Sequence, residues 1–277
     1  LSFVSRRPML GESFTAIKFP RGEVEVIDLR PAGFLLRIEA KDQLAESIEI
    51  GVWTGMPVLD IKASINLEAL TTPQSIEEIG LALPQVSALK NIQAELAGGW
   101  INPATELLPG VTPEALSLRN GMLLKQKKYC MAVTTRDARV LLMEKDLNGK
   151  VLPVLNLVNN FPKHWNRNEV NQGSLTFHLK LEPLKRRSSP VDVSQLAVAT
   201  AEPLLIRDTW LSQDTPEKSA LSVRGSGLSI QSMKRSRDGQ ALIMRIKNSG
   251  ISGHARGVVS SNYFGPQTTI YTSDIME

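Results

Sequence analysis

At 277 residues the chain is long enough for one large domain or two ordinary ones, each with its own core. Its 42% apolar and 22% charged residues mark a globular protein and exclude a disordered one. A formal net charge of +4 is modest for this length, so it permits an anionic partner without requiring one. The single cysteine, Cys130, excludes an intramolecular disulfide and argues against a Cys-based zinc site. No apolar run reaches transmembrane length, and the opening LSFVSRRPML lacks the apolar core of a signal peptide. The chain starts at Leu1 rather than Met, as a trimmed chain or a segment cut from a precursor would. No Asn-x-Ser/Thr sequon occurs. These features together point to an intracellular protein without a membrane partner.

The first third alternates with period two. Phe14 to Phe19 and Val24 to Leu29 read as strands, with Arg21-Gly22 and Pro31-Ala32-Gly33 as turns. Phe34, Leu36 and Ile38 alternate with Leu35, Arg37 and Glu39; Ile48, Ile50 and Val52 follow. The clearest run is Leu59, Ile61, Ala63, Ile65 and Leu67, separated by Asp60, Lys62, Ser64 and Asn66. That is the pattern of a strand with one buried and one wet face. At Thr72 the signals change. Thr72-Pro73 before Glu77 and Glu78 predicts a helix start. Val86, Leu89, Ile92 and Leu96 predict one helical face stopped at Gly98-Gly99, and Thr112-Pro113-Glu114 a short helix to about Leu118.

From Lys125 to Val158 two apolar runs flank Asn148-Gly149, the favoured pair for a two-residue type I′ turn. That turn would set Leu142 opposite Leu155 and Val140 opposite Leu157. Both strands are apolar at nearly every position, which predicts cover on both faces. The Asn-rich stretch 159–173 reads as a linker or long loop. Beyond it, Leu175, Phe177, Leu179 and Leu181 alternate with Thr176, His178 and Lys180. Further strands are expected at 191–200, 203–211, 220–224, 228–233, 241–247, 255–263 and 268–275, with a hairpin at Asp238-Gly239. Short strands with turn signals between them predict a sandwich or jelly roll. The expected fold is therefore mainly β, with two β-sandwich or jelly-roll-like domains. The first spans 1–158, with inserted short helices near 72–118, and the second spans 173–277.

Motifs for catalysis are missing. His164, His178 and His254 have no metal-ligand spacing, and His178 falls on the predicted wet face of a strand, which favours a surface role. Cys130, between Tyr129 and Met131, reads as a small buried hydrophobe. Arg224-Gly-Ser-Gly-Leu228 lacks the helix that would make it a phosphate loop, and no Gly-x-Ser-x-Gly elbow is present. Acids such as Asp28 or Asp60 could pair in space without leaving a spacing signature. No cofactor and no metal are expected.

Basic residues gather at strand ends and turns: Arg6-Arg7, Lys125 with Lys127-Lys128, Lys185-Arg186-Arg187, and Lys234-Arg235 with Arg237. With aromatic residues at 5%, phosphate contact without base stacking is the expected mode for any nucleic acid. No family signature is recognised; the strand count resembles that of jelly-roll capsid domains in pattern alone. The leading expectation is a non-enzymatic, self-associating assembly protein, a coat-type subunit of a virion. It would touch nucleic-acid phosphate through Lys127, Lys128, Arg186, Arg187, Arg235 and Arg237. The alternatives are a β-sandwich enzyme or binding module acting on a carbohydrate-like substrate through carboxylates, and an accessory protein for single-stranded nucleic acid.

Overall fold

The computed structural model describes residues 2–6, 12–16, 23–39, 45–67, 77–97, 99–112, 114–145, 148–160, 173–201, 221–225, 228–248, 256–261, 265 and 268–269. The chain divides into two compact units, Leu1–Pro203 and Leu204–Glu277.

Unit 1 is built from two antiparallel sheets. The larger has nine strands in the order β3 (Glu23–Asp28), β4 (Gly33–Glu39), β5 (Ala45–Trp53), β6 (Leu59–Asn66), β15 (Ser174–Leu184), β12 (Cys130–Thr135), β11 (Gly121–Lys125), β8 (Ile92–Leu96) and β9 (Gly99–Ile101). The smaller has six, in the order β10 (Ala115–Ser117), β13 (Val140–Lys145), β14 (Val151–Asn160), β7 (Glu77–Ala82), β1 (Ser2–Arg6) and β2 (Thr15–Ala16). The alternating patterns explain how they pack. Ile61, Ala63 and Ile65 of β6 and Phe177, Leu179 and Leu181 of β15 point one way, into a core shared with Phe3, Ile79, Leu81, Leu141 and Leu155 of the smaller sheet. The result is a mainly β sandwich, as the sequence predicts.

The outer face of the large sheet is divided. Over β11 and β12 it is apolar: Leu123, Cys130 and Ala132 pack against Val193 of a helix, α1 (Pro190–Ala201), with Trp100 and Leu196 beside them. Thr134 and Thr200 share a buried hydroxyl hydrogen bond at 2.7 Å, and the Trp100 indole N–H donates to Ser194 at 2.9 Å. Over β3 to β6 and β15 the same face carries charged side chains and, among the described residues, no helix.

The structure corrects the expected helices. Ile92–Leu96 is a strand, preceded by a three-residue 3-10 turn at Leu89–Asn91, and Ala115–Ser117 is a strand. Ile92 and Ala94 alternate with Gln93 and Glu95, and the apolar pair is completely buried in the core, so tertiary pairing overrides the helical spacing. Conversely, 191–200, expected to be a strand, is helical. Ser189 and Asp192 form its cap: the Ser189 backbone N–H donates to Asp192 Oδ2 at 2.6 Å.

The hairpin β13–β14 differs by one residue from expectation. Leu141 faces Leu155, Leu142 faces Val154 and Val140 faces Asn156. Five residues link the paired Lys145 and Val151, and Gly149 takes φ +75°. An odd-numbered connection shifts the register by one relative to a two-residue turn. Both faces are covered nonetheless. Leu141 and Leu155 enter the main core; Leu142 and Val154 join Val4 and Ala82 on the other side.

The expected domain boundary at 158–173 falls within unit 1, since β15 inserts between β6 and β12 and needs the core for Phe177, Leu179 and Leu181. In unit 2 the described residues form two antiparallel pairs, β16 (Leu221–Arg224) with β19 (Val258–Ser261) and β17 (Leu228–Arg235) with β18 (Leu242–Asn248). Arg7, Phe19, the Arg21-Gly22 turn, the Thr72-Pro73 signal, Pro113, His164, Trp165, His254, the strand expected at 203–211 and residues 270–275 of the strand expected at 268–275 lie outside the described residues. No helix among the described residues is long and apolar enough to cross a membrane.

Candidate functional site

The open half of the large sheet's outer face is a grid of cross-strand pairs. One row crosses five strands: Glu25 faces Arg37, Arg37 faces Glu49, Glu49 faces Lys62, and Lys62 faces His178. Opposite charges stand directly opposite one another, the favourable arrangement on a sheet face. Arg37 Nε donates to Glu49 Oε1 at 3.0 Å, its Nη1 lies 3.3 Å from Glu25, and Lys62 Nζ lies 3.5 Å from Glu49. The hydrogen bond to Glu49 raises the Arg37 pKa above its ordinary value, with the Glu49, Glu25 and Glu39 charges adding to it.

His178 closes the row. Its backbone N–H and its ring Nδ1 both meet Asp137 Oδ2, at 3.1 and 2.9 Å. Asp137 comes from the loop after β12. A carboxylate partner at Nδ1 places a proton there and leaves Nε2 as the free nitrogen. The neighbouring row reads Leu35, Gly51, Asp60 and Lys180, with Lys180 Nζ 3.9 Å from Asp60 Oδ2.

Between these rows lies an open hollow of about 190 Å³ lined by Leu35, Glu49, Gly51, Trp53, Asp60, Lys62 and His178. Gly51 shapes it. The Trp53 indole folds back over the bare backbone of Gly51, where an added Cβ would come within 3.2–3.4 Å of three ring atoms. An aromatic ring thus lies beside Asp60, Glu49 and an imidazole oriented by a second carboxylate. Such a set can stack an apolar ring face, accept hydrogen bonds from hydroxyls and move a proton at His178 Nε2. Glu49 is held by two cations, Arg37 and Lys62, whereas Asp60 has one lysine, Lys180, at 3.9 Å.

The two acids named from sequence separate here. Asp60 lines the hollow, whereas Asp28 pairs with Arg30 at 2.7 Å in the β3–β4 turn, and that hydrogen bond lowers its pKa. Trp53 and the His178–Asp137 pair were not read as a site in the sequence. The signal for the ring was Gly51-Val52-Trp53, a glycine two residues from a tryptophan on one strand face; Asp137, 41 residues from His178, left none. Among the described residues no group of three or more His, Cys, Asp or Glu could hold a metal ion.

Of the six predicted phosphate contacts, the structure brings four together. Lys127 and Lys128 lie in the β11–β12 turn, and Arg186 and Arg187 follow β15, whose Leu184 pairs with Cys130 of β12. All four are exposed. Arg235 and Arg237 are in unit 2, at the end of β17 and in the turn after it. Cys130 is buried as predicted; burial raises its thiol pKa, against a lowering by Lys125, and Sγ–H donates to the Arg186 carbonyl at 3.3 Å.

The architecture has known counterparts among solved structures. An α-mannosidase from Enterococcus faecalis V583 superposes with TM-score 0.56 over 81% of this chain and 29% of that one, at 11% identity. A protein of glycosyl hydrolase family 38 from Enterococcus faecalis superposes with TM-score 0.58 over 87% of this chain and 32% of that one, also at 11% identity. The chain therefore spans about a third of the length of these two structures. No family model matches the sequence, and no curated protein does.

These matches correct the leading expectation from sequence. The sandwich is shared with carbohydrate-active enzymes, so the readings of a non-enzyme, of a virion coat subunit and of an RNA-binding shell protein are overturned. Strand count and basic turns do not distinguish one β-sandwich from another.

Proposed function

We propose that this chain is the β-sandwich portion of a carbohydrate-processing enzyme, and that the open half-face of its large sheet holds a sugar ring. The observation that carries the reading is the Trp53 indole laid over Gly51 at the edge of the acid-lined hollow. A pyranose presents C–H groups on one face and hydroxyls around its rim. The ring face stacks on the indole, while Asp60 and Glu49 accept from hydroxyls and Lys62 donates to them. His178, oriented by Asp137, sits where it can exchange a proton with a ring or linkage oxygen. The likeness to an α-mannosidase and to a family 38 glycosyl hydrolase supports a glycoside as the substrate class.

The test is a titration of the full chain with mannose, galactose, glucose and their methyl glycosides, followed by tryptophan fluorescence and by NMR. Saturable binding is expected for at least one sugar. Trp53→Ala should weaken it about tenfold or more, a loss of roughly 1.4 kcal/mol, without moving the unfolding midpoint. Asp60→Asn should weaken it less. Absence of binding to every sugar, or binding indifferent to Trp53→Ala, would sink the reading.

A further inference from the structure

Charges on the open half-face are matched across the strands, but at one end of the same sheet they are not. Lys125, Lys127 and Lys128 lie at and beyond the end of β11; Lys185, Arg186 and Arg187 follow β15. These two turns flank β12, because Lys125 pairs with Cys130 and Cys130 with Leu184. Each turn is closed by its own backbone bond, Gln126 N–H to Tyr129 O and Ser188 N–H to Lys185 O, both at 2.9 Å. The Cys130 thiol donating to the Arg186 carbonyl ties one turn to the other. Six cations are thus held on two fixed, adjacent turns. None of the six makes an ion pair with a described acid, while Arg37 alone has three acids within 4 Å. Like charges held together without counter-charges cost stability, and no described acid offsets that cost. An anion arriving from outside would.

We propose that this end of the sheet is a binding surface for the sulfate or phosphate groups of an anionic polysaccharide. This deepens the carbohydrate reading and rests on it for the choice of polymer. Its strand, β15, carries His178 and Lys180 of the open face a few residues upstream, so one chain of sugars can run from the hollow toward the basic turns. Among the described residues Tyr129 is the one exposed aromatic in these turns. That offers no series of rings on which successive bases would stack, and it favours a saccharide over a nucleic acid.

The experiment measures binding of the full chain to heparin fragments, to phosphorylated mannan, to unsubstituted mannan and to a single-stranded oligonucleotide of matched charge, across 50–200 mM salt. Lys127→Gln/Lys128→Gln and Arg186→Gln/Arg187→Gln are compared with Arg235→Gln/Arg237→Gln in unit 2. Four engaged anions predict affinity for a charged polysaccharide falling roughly a hundredfold over that range. Each double variant in the two turns should lower the salt slope by about two, and the unit 2 variant should leave it alone. Preference for heparin or for phosphorylated mannan tells sulfate from phosphate. The proposal is overturned if the oligonucleotide binds as tightly as the polysaccharides, if the turn variants bind like the parent, or if the unit 2 variant loses as much. Neutral-sugar binding lost in Trp53→Ala reports on the hollow separately. Its absence alongside salt-dependent polysaccharide binding would reject the hollow and keep the basic end.

Discussion

The two halves of the large sheet's outer face belong to one antiparallel sheet, yet one is roofed by a helix and the other, among the described residues, is open. Side-chain size and polarity decide between them. Leu123, Cys130 and Ala132 offer α1 a small, apolar surface, and Val193 and Ala197 of α1 are buried there. Arg37, Glu49, Lys62 and His178 occupy the same face a few strands away, and a helix laid over them would have to desolvate every charge. Cross-strand ion pairs link the charged side chains of that half, beside the half that α1 covers.

The sharpest way to break the contrast is under the helix. Leu123→Ala empties a fully buried position that touches the helix-covered cluster, and it should cost about 2–5 kcal/mol, read from urea unfolding. A loss below about 1 kcal/mol would mean that α1 contributes little cover, and the two halves would then differ less than their residues indicate. On the open half the corresponding change acts on function instead. Gly51→Val places a branched side chain against the partly buried indole, at the 3.2–3.4 Å approach of a Cβ to the ring, and so displaces the ring. Sugar affinity should fall about tenfold while the unfolding midpoint stays nearly constant. A large stability loss with affinity intact would show that the ring is packing rather than platform.

How much of this was legible in the sequence follows the same division. Strict alternation in Leu59–Leu67 and in Leu175–Leu181 identified β6 and β15 and, with them, which residues face outward, Asp60, Lys62 and His178 among them. Short stretches with two readings failed. Ile92-Gln-Ala-Glu-Leu96 fits a strand by its alternation and a helix by its spacing from Val86 and Leu89, and only the pairing with β11 decides. In 190–201, three valines suggested a strand, whereas Ser189-Pro190 followed by Asp192 was a capping signal in plain view. The site was the least legible part. Glu49, Asp60 and His178 come from three strands, and Asp137 from a loop, so no spacing along the chain relates them. The basic turns were visible as clusters, but not that β12 brings two of them together and leaves Arg235 and Arg237 in the other unit.

The smallest effect lies at the seam between the halves. Glu182 of β15 faces Ala132 of the helix-covered cluster, on the same outer face as Lys180. Burial raises its carboxyl pKa above the ordinary 4.5. A folded pKa above the unfolded one means that the fold holds the proton more tightly. That contribution to stability is fully present below about pH 4.5 and is lost as pH rises through the folded pKa. Glu182→Gln carries no titrating group at the seam. Its stability relative to the parent should therefore rise as pH increases from 4 through the folded pKa and level off above it, in parallel urea titrations at constant ionic strength. The size is modest because the side chain is only partly buried. A parent that gains on the variant over the same interval would show that a cation, with Lys180 the nearest along the strand, stabilises the ionised carboxylate. The seam would then belong electrostatically to the open half rather than to the roofed one.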